Sequence, residues 1–593
     1  MKLYCDPPDL DWRETGPVAR EFGDIYFSVE DGLAETRAVF LAGCGLPEAW
    51  QGKDQFVIGE LGFGTGLNFL AAWQLWKETG PAKGWLHFIS IEKFPLRRDM
   101  AEQAFAAFPQ LAGLSWQLIA KWPQPLKGPH RLRFDEDRVT LTVFHDDIAS
   151  ALPQIEADVD AWFLDGFSPA NNEAMWADAV WPELARLSKP GARAATFTVA
   201  GAVRRGLQSA GFEVEKEPGF GRKRERLEAV FKAQSTLAPP TPFPRVRPND
   251  ETAIIRGGGI AGASLAYALQ KRGRKVTLLD PNGLAGGASG APSGLLTPRL
   301  ENADRPHVRA TLAAFEYARQ LYSDLGLLRE EGALRLFKDE GERSRYAAIA
   351  EAMGDGYDIR DNGLWMERAG RFNPMEVVET LAEGTRVITD TERVMEASLI
   401  IDCRGPVAAM SDLSPGAGRV SVWYGTPPEY PIVWGGYVSA TDDGRVLVGA
   451  THELGAEAGL PRAASDKLLA DLKTRCPDIA AGFSGEPESW AGVRATTPDR
   501  LPVFGPLPPH DFAAVWGSSA RGGPLTDRAD DSTESSPRLI LSGFGSRGFA
   551  HAPLLAEALA SDLCGEPSPL EKSGRETLHP SRFEFRRLKR GEI

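Results

Sequence analysis

Two glycine-rich loops constrain the fold of this chain more than any other feature, because each follows an apolar run and precedes a helix-like stretch. The apolar runs lie at 56–58 and at 253–255. A strand, a glycine loop and a helix in this order build the nucleotide-binding edge of an α/β sheet. The sequence therefore predicts two nucleotide-binding α/β folds, and their loops carry Gly62, Gly64 and Gly66, and Gly257, Gly259 and Gly262.

A chain of 593 residues is longer than one hydrophobic core usually supports, so we expect more than one domain. The stretch 233–250 is rich in proline, which blocks helices and central strands, and it is the best candidate for a linker. Farther along, β-like runs at 512–516 and 538–541 predict two more strands. The predicted division is a domain at 1–235, a linker at 236–250 and a domain at 251–593.

The apolar runs and the cysteines of the sequence limit which partners and metal sites the protein can have. No apolar run approaches the length of a membrane span and the chain does not open on an apolar signal core, so we expect a cytoplasmic protein with no membrane partner. The 5 cysteines have no CxxC spacing, which argues against a disulfide framework and a zinc site, and we expect no metal. The sequence gives no oligomeric state.

The net charge of −14 opposes a nucleic-acid partner at long range. Basic residues nevertheless cluster at 222–226, at 245–247 and at 582–590. For each cluster a solvated charged face is as good an interpretation as a phosphate-binding patch. Charge alone therefore leaves a nucleic-acid partner open.

Acidic residues stand where the predicted strands of the N-terminal half end. Glu92 is placed to accept hydrogen bonds from ribose hydroxyls, and Asp147 to meet an adenine amino group. Glu60, just before the glycines, suits a cationic sulfonium, so this loop fits S-adenosylmethionine better than a dinucleotide. Strand-end turns without a ligand are the weaker alternative. Asp165 has two interpretations of equal weight, a helix cap and a catalytic group.

The second loop has the pattern of a dinucleotide site. Its glycines precede a helix whose N-terminus faces a pyrophosphate, and Asp280 ends the next predicted strand within reach of the adenosine ribose. The small-residue stretch at 286–294, which includes Ser289, lets the backbone approach a large flat cofactor. FAD is therefore favoured over NAD. Arg256 stands where such strands usually end in apolar residues, and the sequence does not explain it.

Several motifs resemble those of the MnmC family of bifunctional tRNA-modifying enzymes. In the N-terminal half they lie at 24–28, 32–41, 62–66, 165–170 and 221–225, and the resemblance continues over nearly the whole chain. It implies an α/β protein with a Rossmann-like class I methyltransferase domain, followed by an FAD-binding Rossmann domain with a mixed α+β substrate subdomain.

The resemblance also implies a tRNA partner, with the wobble uridine of the anticodon as the substrate. On this resemblance, the second half would remove a carboxymethyl group with FAD, and the first half would then methylate the freed aminomethyl group with S-adenosylmethionine. Asp165 would lie beside this amine. Because alkyl amines have a pKa near ~10, the nitrogen needs a neighbour that holds it and takes its proton.

Two segments of the C-terminal half, 491–505 and 542–553, resemble signatures of the glycine and D-amino acid oxidase superfamily. The first carries Arg494, whose planar guanidinium suits a substrate carboxylate. The second carries Gly545 and Arg547, where a helix start approaches the flavin ring. The family usually has a lysine where this chain has Asn171, which puts a positive contact at that point in doubt.

Two other classes of function compete with this one. A free amino acid oxidase of the glycine or sarcosine type, fused to a small-molecule methyltransferase, would have a similar flavin half. The second competing class is a binding module that keeps both nucleotide folds but does not catalyse a reaction. The presence of Asp165 and Arg494 argues against this class.

Overall fold

The computed structural model describes residues 2–14, 16–27, 32–221, 223–233, 240–246, 252–390, 399–455, 462–525 and 538–593. These residues form two compact units. The N-terminal unit comprises Leu3–Pro239 and Glu566–Ser573, and the C-terminal unit comprises Met1–Lys2, Pro240–Gly565 and Gly574–Ile593.

The N-terminal unit alternates strands and helices. Its strands are β1 Leu10–Arg13, β2 Gly16–Ala19, β3 Asp24–Ile25, β4 Gln55–Leu61, β5 Trp85–Glu92, β6 Gly128–Phe134, β7 Val139–His145, β8 Val159–Leu164, β9 Ser188–Thr196, β10 Phe212–Pro218 and β11 Glu225–Phe231. Its helices are α1 Gly32–Thr36, α2 Leu67–Thr79, α3 Arg98–Phe105, α4 Ala112–Ala120, α5 Ile148–Ala151, α6 Val180–Leu187 and α7 Gly201–Ser209.

Eight of these strands form one sheet in the order β10-β11-β9-β8-β4-β5-β7-β6. Strand β4 is central and pairs in parallel with β5 on one side and with β8 on the other. From β4 the chain first adds strands on the β5 side of the sheet and later on the β8 side. This reversal opens a crevice at the carboxyl ends of these strands. The loops after β4, β5, β7 and β8, which carry the predicted site residues, meet at this edge.

Apolar and aromatic side chains cover both faces of this sheet. One layer is built around Trp50, Phe69, Trp73 and Phe88, and the other around Trp162 and Trp181. Strands β5 and β7 are buried along their whole length, including their polar residues, as expected for central strands of a sheet that is covered on both faces.

A short segment from late in the chain, Glu566–Ser573, belongs to the N-terminal unit. The Ser568 amide donates to the carbonyl of Glu156 at 2.9 Å, and the Ser573 amide donates to Gln154 Oε1 at 3.0 Å. The described part of the predicted linker belongs to the C-terminal unit, where Arg245 pairs with Asp562 at 2.5 Å. The rest of the predicted linker lies outside the described residues.

The C-terminal unit has more strands than helices. Its strands are β12 Thr252–Arg256, β13 Lys275–Leu279, β14 Gly294–Leu296, β15 Leu328–Arg329, β16 Ala333–Leu336, β17 Tyr357–Ile359, β18 Gly363–Met366, β19 Gly370–Phe372, β20 Arg386–Ile388, β21 Leu399–Asp402, β22 Ser414–Tyr424, β23 Ile432–Val433, β24 Tyr437–Ala440, β25 Val446–Gly449, β26 Glu453–Leu454, β27 Ser484–Thr496, β28 Val503–Pro506 and β29 Leu539–Ser542. Its helices are α8 Ile260–Gln270, α9 Pro306–Asp324, α10 Glu340–Met353, α11 Pro374–Leu381, α12 Arg462–Arg475, α13 Pro477–Ala481, α14 Phe512–Trp516, α15 Gly548–Cys564, α16 Lys572–Leu578, which belongs to this unit from Gly574 onward, and α17 Arg582–Arg590.

Most strands of this unit belong to two large sheets. A six-stranded sheet in the order β20-β13-β12-β21-β29-β28 is parallel except at its β28 edge and carries the second glycine loop. A nine-stranded sheet contains β22, which pairs with the long strand β27. The α/β class, with a Rossmann-like N-terminal half and an FAD-type C-terminal half that adds a mixed subdomain, is confirmed.

One predicted strand is wrong. Residues Phe512–Trp516 form the helix α14. Phe512 and Trp516 are four residues apart, so a helix places both rings on one side, with their centroids 6.5 Å apart. The run is too short for its periodicity to separate helix from strand.

Within the described part of the chain, no helix is long and apolar enough to cross a membrane.

The buried ion pair between Arg272 and Glu557 joins the end of α8 to α15 and gives a test of the fold. Both side chains are almost fully buried, and the two guanidinium nitrogens donate to the two carboxylate oxygens at 3.0 and 2.7 Å. We expect Arg272→Met to lower the free energy of unfolding of the C-terminal unit by about 3–5 kcal/mol, since it leaves a buried carboxylate without its partner. Calorimetric and denaturant unfolding measure the change.

The matched control is Arg462→Met, because Arg462 pairs with Glu486 on the surface, where both side chains are mostly exposed. This variant should change stability by about 0–1 kcal/mol. Equal effects of the two substitutions would contradict the structural role given to Arg272.

Candidate active sites

A cavity of about 1090 Å³ opens at the carboxyl edge of the N-terminal sheet. Gly62, Gly64, Glu92, Asp147 and Asp165 line it, so the structure brings these predicted site residues together. Most of the charged residues in the lining are acidic, and they are Glu14, Glu21, Asp24, Glu35, Glu92, Asp146, Asp147, Asp165 and Glu173, beside Lys93 and Lys223.

The glycine loop after β4 requires glycine at its first position. Gly62 has a φ of +91°, and a Cβ there would lie 2.6 Å from the carbonyl oxygen of Asp165. Gly66, with a φ of +81°, precedes α2 as its N-cap. The loop therefore passes very close to the end of β8, and the backbone is open to the cavity at Gly62 and Gly64. This cradle, with carboxylates around it, fits a cationic nucleoside such as S-adenosylmethionine.

Two of the predicted acids stand at this loop. Glu92 is buried and accepts hydrogen bonds from the amides of Gly64 at 2.7 Å and Phe94 at 2.8 Å. Asp147 caps α5 and accepts from the Ser150 amide at 3.1 Å. Burial acts to raise the pKa of Asp147, but the hydrogen bonds from Ser150 and Ala149 and the charge of Lys93 together outweigh it, and the pKa falls.

Glu60 takes a different place from the one that the sequence suggests. Glu60 and Gly66 are not among the described residues that line the cavity. Glu60 is 2% exposed and accepts hydrogen bonds from Ser90 Oγ at 2.6 Å and from Asn68 Nδ2 at 3.0 Å. Burial raises its pKa well above the usual value. Glu60 thus lies behind the loop and supports it rather than facing the ligand space.

Asp165 follows β8 and is half-buried at the cavity wall. Its Oδ2 accepts a hydrogen bond from Asn68 Nδ2 at 2.6 Å. Burial raises the pKa of Asp165 to about 7, with Asn68 and Lys223 acting to lower it and Glu35 and Asp24 acting to raise it. A carboxyl with this pKa exchanges a proton near neutral pH, which is what a general base requires.

Sequence reasoning missed three polar residues of this cavity, Asn68, Glu35 and Lys223. Lys223 Nζ donates to Glu35 Oε1 at 2.7 Å and lies 3.8 Å from the centroid of the Phe197 ring. A cation is therefore present in this cavity although position 171 is asparagine. The segment at 221–225 is one of the family motifs, but the sequence does not show which cavity it enters.

The second glycine loop, between β12 and α8, packs too closely for any side chain. Gly257 has a φ of +115°, and a Cβ there would lie 2.5 Å from the carbonyl oxygen of Cys403. A Cβ at Gly262 would lie 1.9 Å from the carbonyl oxygen of Gly257, so this glycine lets the helix approach the strand. Gly259 is the N-cap of α8 and, as a glycine, has no side chain of its own to cap the helix. The N-terminus of this buried helix fits the pyrophosphate of FAD.

Asp280 and Ser289 stand beside this loop as the sequence predicts. Asp280 Oδ2 accepts a hydrogen bond from the Gly258 amide at 2.8 Å, and Ser289 Oγ accepts from the Ile260 amide at 3.0 Å. Arg256 is exposed at the end of β12, which explains why this position need not be apolar. The donors and acceptors therefore fit the dinucleotide half of FAD.

Arg494 lies on β27, opposite β22. A Cβ at Gly418 would lie 1.8 Å from Arg494 Nη2, so the glycine leaves the space that the guanidinium fills. Arg494 Nη1 lies 3.4 Å from His452 Nδ1, and burial together with the charge of Arg494 lowers the pKa of His452. Among the described residues no carboxylate forms an ion pair with Arg494. Burial raises the pKa of Tyr437, and the nearby positive charge of Arg494 acts to lower it.

Gly545 and Arg547 lie next to β27. The Gly545 amide donates to the carbonyl of Ala495 at 2.8 Å, which ties this segment to the residue after Arg494. Arg547 immediately precedes α15, and its Nη1 donates to the carbonyls of Thr297 and Pro298 at 3.3 and 3.2 Å. Burial lowers the pKa of Arg547 to about 10. The structure thus brings Gly545 beside the strand that carries Arg494, whereas Arg547 contacts the segment after β14.

Comparisons with known proteins agree with both sites. A family model for an S-adenosyl-L-methionine-dependent methyltransferase matches residues 109–232, and one for an FAD-dependent oxidoreductase matches residues 252–561. The chain binds these two cofactors. Glycine oxidase from Geobacillus kaustophilus aligns with 53% of this chain and 94% of its own, at 19% identity and a TM-score of 0.42, a similarity too low to carry an argument.

Relatives match the chain over nearly its full length. The tRNA 5-methylaminomethyl-2-thiouridine biosynthesis bifunctional protein MnmC of Maricaulis maris is 48% identical, with 99% of this chain and 98% of the relative covered. The protein of the same name from Caulobacter vibrioides is 39% identical, with 98% of each chain covered. The chain therefore belongs to the MnmC family of bifunctional proteins, with a methyltransferase and an FAD-dependent oxidoreductase in one polypeptide.

Proposed function

We propose that this protein modifies the wobble uridine of tRNA in two steps. The oxidoreductase removes the carboxymethyl group of 5-carboxymethylaminomethyl-(2-thio)uridine, and the methyltransferase converts the product to 5-methylaminomethyl-(2-thio)uridine. The observation that carries this proposal is the match to MnmC relatives across both units at 48% identity. A tRNA substrate places the protein in the cytoplasm, which remains our prediction.

The oxidation belongs to the C-terminal unit. When bound, FAD would supply the two-electron oxidation of the methylene of the carboxymethyl arm, and hydrolysis of the imine so formed would yield glyoxylate and a primary amine. Arg494 is proposed to grip the carboxylate of this arm with two charge-assisted hydrogen bonds. Its support is a half-buried guanidinium that no described carboxylate neutralises, with Tyr437 and His452 beside it. Gly545 and Arg547 are proposed to hold the flavin end of the site.

The methylation belongs to the N-terminal unit. When bound, S-adenosylmethionine supplies the methyl group. The glycine loop and Glu92 are proposed to hold its nucleoside, with Asp147 toward the adenine. Asp165 is proposed to orient the acceptor amine and to take its proton, which is supported by its place on the cavity wall and its raised pKa.

The charge of the cavity supports this order of steps. Glu35, Asp24 and Asp165 surround the space where the amine would lie, and they favour a cationic aminomethyl group. The carboxymethylaminomethyl arm carries an additional carboxylate, which these acids repel. We therefore propose that the methyltransferase unit accepts the nucleoside only after oxidation.

A free amino acid oxidase fused to a small-molecule methyltransferase is the alternative. It predicts rapid flavin reduction by free glycine or sarcosine without tRNA. Stopped-flow absorbance of the flavin with each amino acid, compared with modified tRNA, separates the two functions.

Alanine substitutions at Asp165 and Arg494 should block different steps. With Asp165→Ala, oxidation proceeds but methyl transfer slows by about two or more orders of magnitude, so the aminomethyl nucleoside accumulates. With Arg494→Ala, oxidation weakens because a charge-assisted contact worth about 1.5–3 kcal/mol is lost, and the carboxymethylaminomethyl nucleoside persists. Mass spectrometry of nucleosides from treated tRNA measures both.

Exposed residues of the same types, Asp178→Ala and Arg343→Ala, serve as controls and should leave the products unchanged. Each variant is first shown to bind its cofactor. Accumulation of the same nucleoside with both active-site variants would exclude the proposed division of labour.

Methyl transfer should depend on pH through Asp165. Only the carboxylate accepts a proton, and because burial raises the pKa of Asp165 to about 7, the carboxylate is lost as the pH falls below about 7. The rate should fall about tenfold for each pH unit below 7 and level off above it. Initial rates on aminomethyl-tRNA with saturating S-adenosylmethionine measure this profile. A flat profile between pH 5.5 and 8 would rule out Asp165 as the base.

A further inference from the structure

Asn68 connects the buried carboxyl group of Glu60 to the half-buried carboxyl group of Asp165 in the N-terminal unit. It is 6% exposed in the first turn of α2. Its Nδ2 donates to Asp165 Oδ2 at 2.6 Å and to Glu60 Oε1 at 3.0 Å. A side-chain amide nitrogen carries two hydrogens, so each carboxyl group receives one of them.

Thr36 fixes the direction of this amide. Its Oγ1 donates to Asn68 Oδ1 at 2.8 Å. If the amide turned over, its oxygen would face two carboxyl groups, and its nitrogen would face the hydroxyl that now donates. The two carboxyl groups, together with Thr36, which lies 32 residues before Asn68 in the sequence, therefore hold both amide hydrogens toward the acids.

The two acids depend on Asn68 to different degrees. Glu60 has a second donor in Ser90, at 2.6 Å. For Asp165, Asn68 is the only hydrogen-bond donor found among the described residues. Its Oδ2 is thus occupied, and its other oxygen stays available to an amine in the cavity.

The other charges around Asp165 act in both directions. Glu35, Asp24 and Glu60 oppose a negative charge on Asp165, whereas Lys223 favours it. Lys223 is itself paired with Glu35 at 2.7 Å. Asn68 is therefore the one described neutral group that stabilises the carboxylate by direct contact.

We propose that Asn68, oriented by Thr36, is a positioning residue for methyl transfer that holds Asp165 in its carboxylate form beside the acceptor amine. The inference rests on the proposed function. In this step the amine nitrogen forms a bond to the methyl carbon as the carbon–sulfur bond breaks. S-adenosylhomocysteine leaves with the electron pair of that bond, and the proton of the amine passes to Asp165.

The pH profile separates positioning from a merely structural role. In the full-length holoenzyme, Asn68→Ala removes a donor to the carboxylate, so the acidic limb of methyl transfer should move up by about one pH unit. The rate at pH 6 should then fall about tenfold relative to the parent protein, while the rate at pH 9 stays within about twofold. The probe is tRNA that carries the aminomethyl nucleoside, with saturating S-adenosylmethionine.

Substitutions at Thr36 test the same contact with little change of volume. Thr36→Val loses the hydroxyl and should move the limb in the same direction by a smaller amount, whereas Thr36→Ser keeps the hydroxyl and should restore the parental profile. Gln74→Ala is the control on the same helix, because Gln74 contacts Arg37 and not the acids. Calorimetric binding of S-adenosylhomocysteine should be unchanged in all of these variants.

A rate that falls by the same factor at every pH, or a limb that does not move in Asn68→Ala, would overturn the positioning role. If Asn68→Ala does not fold, the Thr36→Val and Thr36→Ser pair decides by the same criterion. Absence of methyl transfer by the parent protein itself would instead reject the proposed function.

Discussion

The burial of negative charge at the carboxyl edge of the N-terminal sheet is the constraint on which the methyltransferase site depends. Glu60, Glu92 and Asp165 are withdrawn from water to different degrees, and a buried carboxyl group is costly unless donors reach it. The donors come from the glycine loop backbone and from Asn68. The hydrogen bonds that offset the cost of this burial thus also set the proton affinity of Asp165, the proposed base.

In the C-terminal unit the corresponding constraint is space, both for a flat cofactor near the backbone and for the guanidinium proposed to bind an anionic substrate. Gly257 and Gly262 bring strand and helix together, and Gly418 leaves the space for Arg494. The region around Arg494 favours an anion, whereas the acidic cavity of the N-terminal unit favours a cation. Opposite charges at the two sites match a nucleoside whose side arm loses a carboxylate between the two steps.

Much of this could be read from the sequence, because strand ends and glycine loops are local patterns. The two nucleotide folds and the meeting of Gly62, Glu92 and Asp165 at one edge follow from such patterns. The role of Asn68 could not be predicted, because its partners Thr36 and Asp165 are 32 and 97 residues away, and nothing local distinguishes it from a surface asparagine.

The same limit explains the differences between sequence and structure. The sequence predicts the acid before the first glycine, Glu60, at the ligand, whereas its hydrogen bonds go to Ser90 and Asn68, partners that no local pattern reveals. The run Phe512–Trp516 has too few residues to distinguish helical from strand periodicity, and its tertiary packing decides for the helix α14. The assignment of Glu566–Ser573 to the N-terminal unit is likewise a property of the folded chain.

The central claim is that both units act in turn on one nucleoside of tRNA. The most direct measurement is a time course with the full-length protein and tRNA that carries 5-carboxymethylaminomethyl-2-thiouridine, followed by nucleoside mass spectrometry. Without S-adenosylmethionine the account predicts conversion to the 5-aminomethyl nucleoside and no further; its later addition should give the 5-methylaminomethyl nucleoside. Persistence of the starting nucleoside in FAD-loaded protein, or methylation before the carboxymethyl group is lost, would contradict the account.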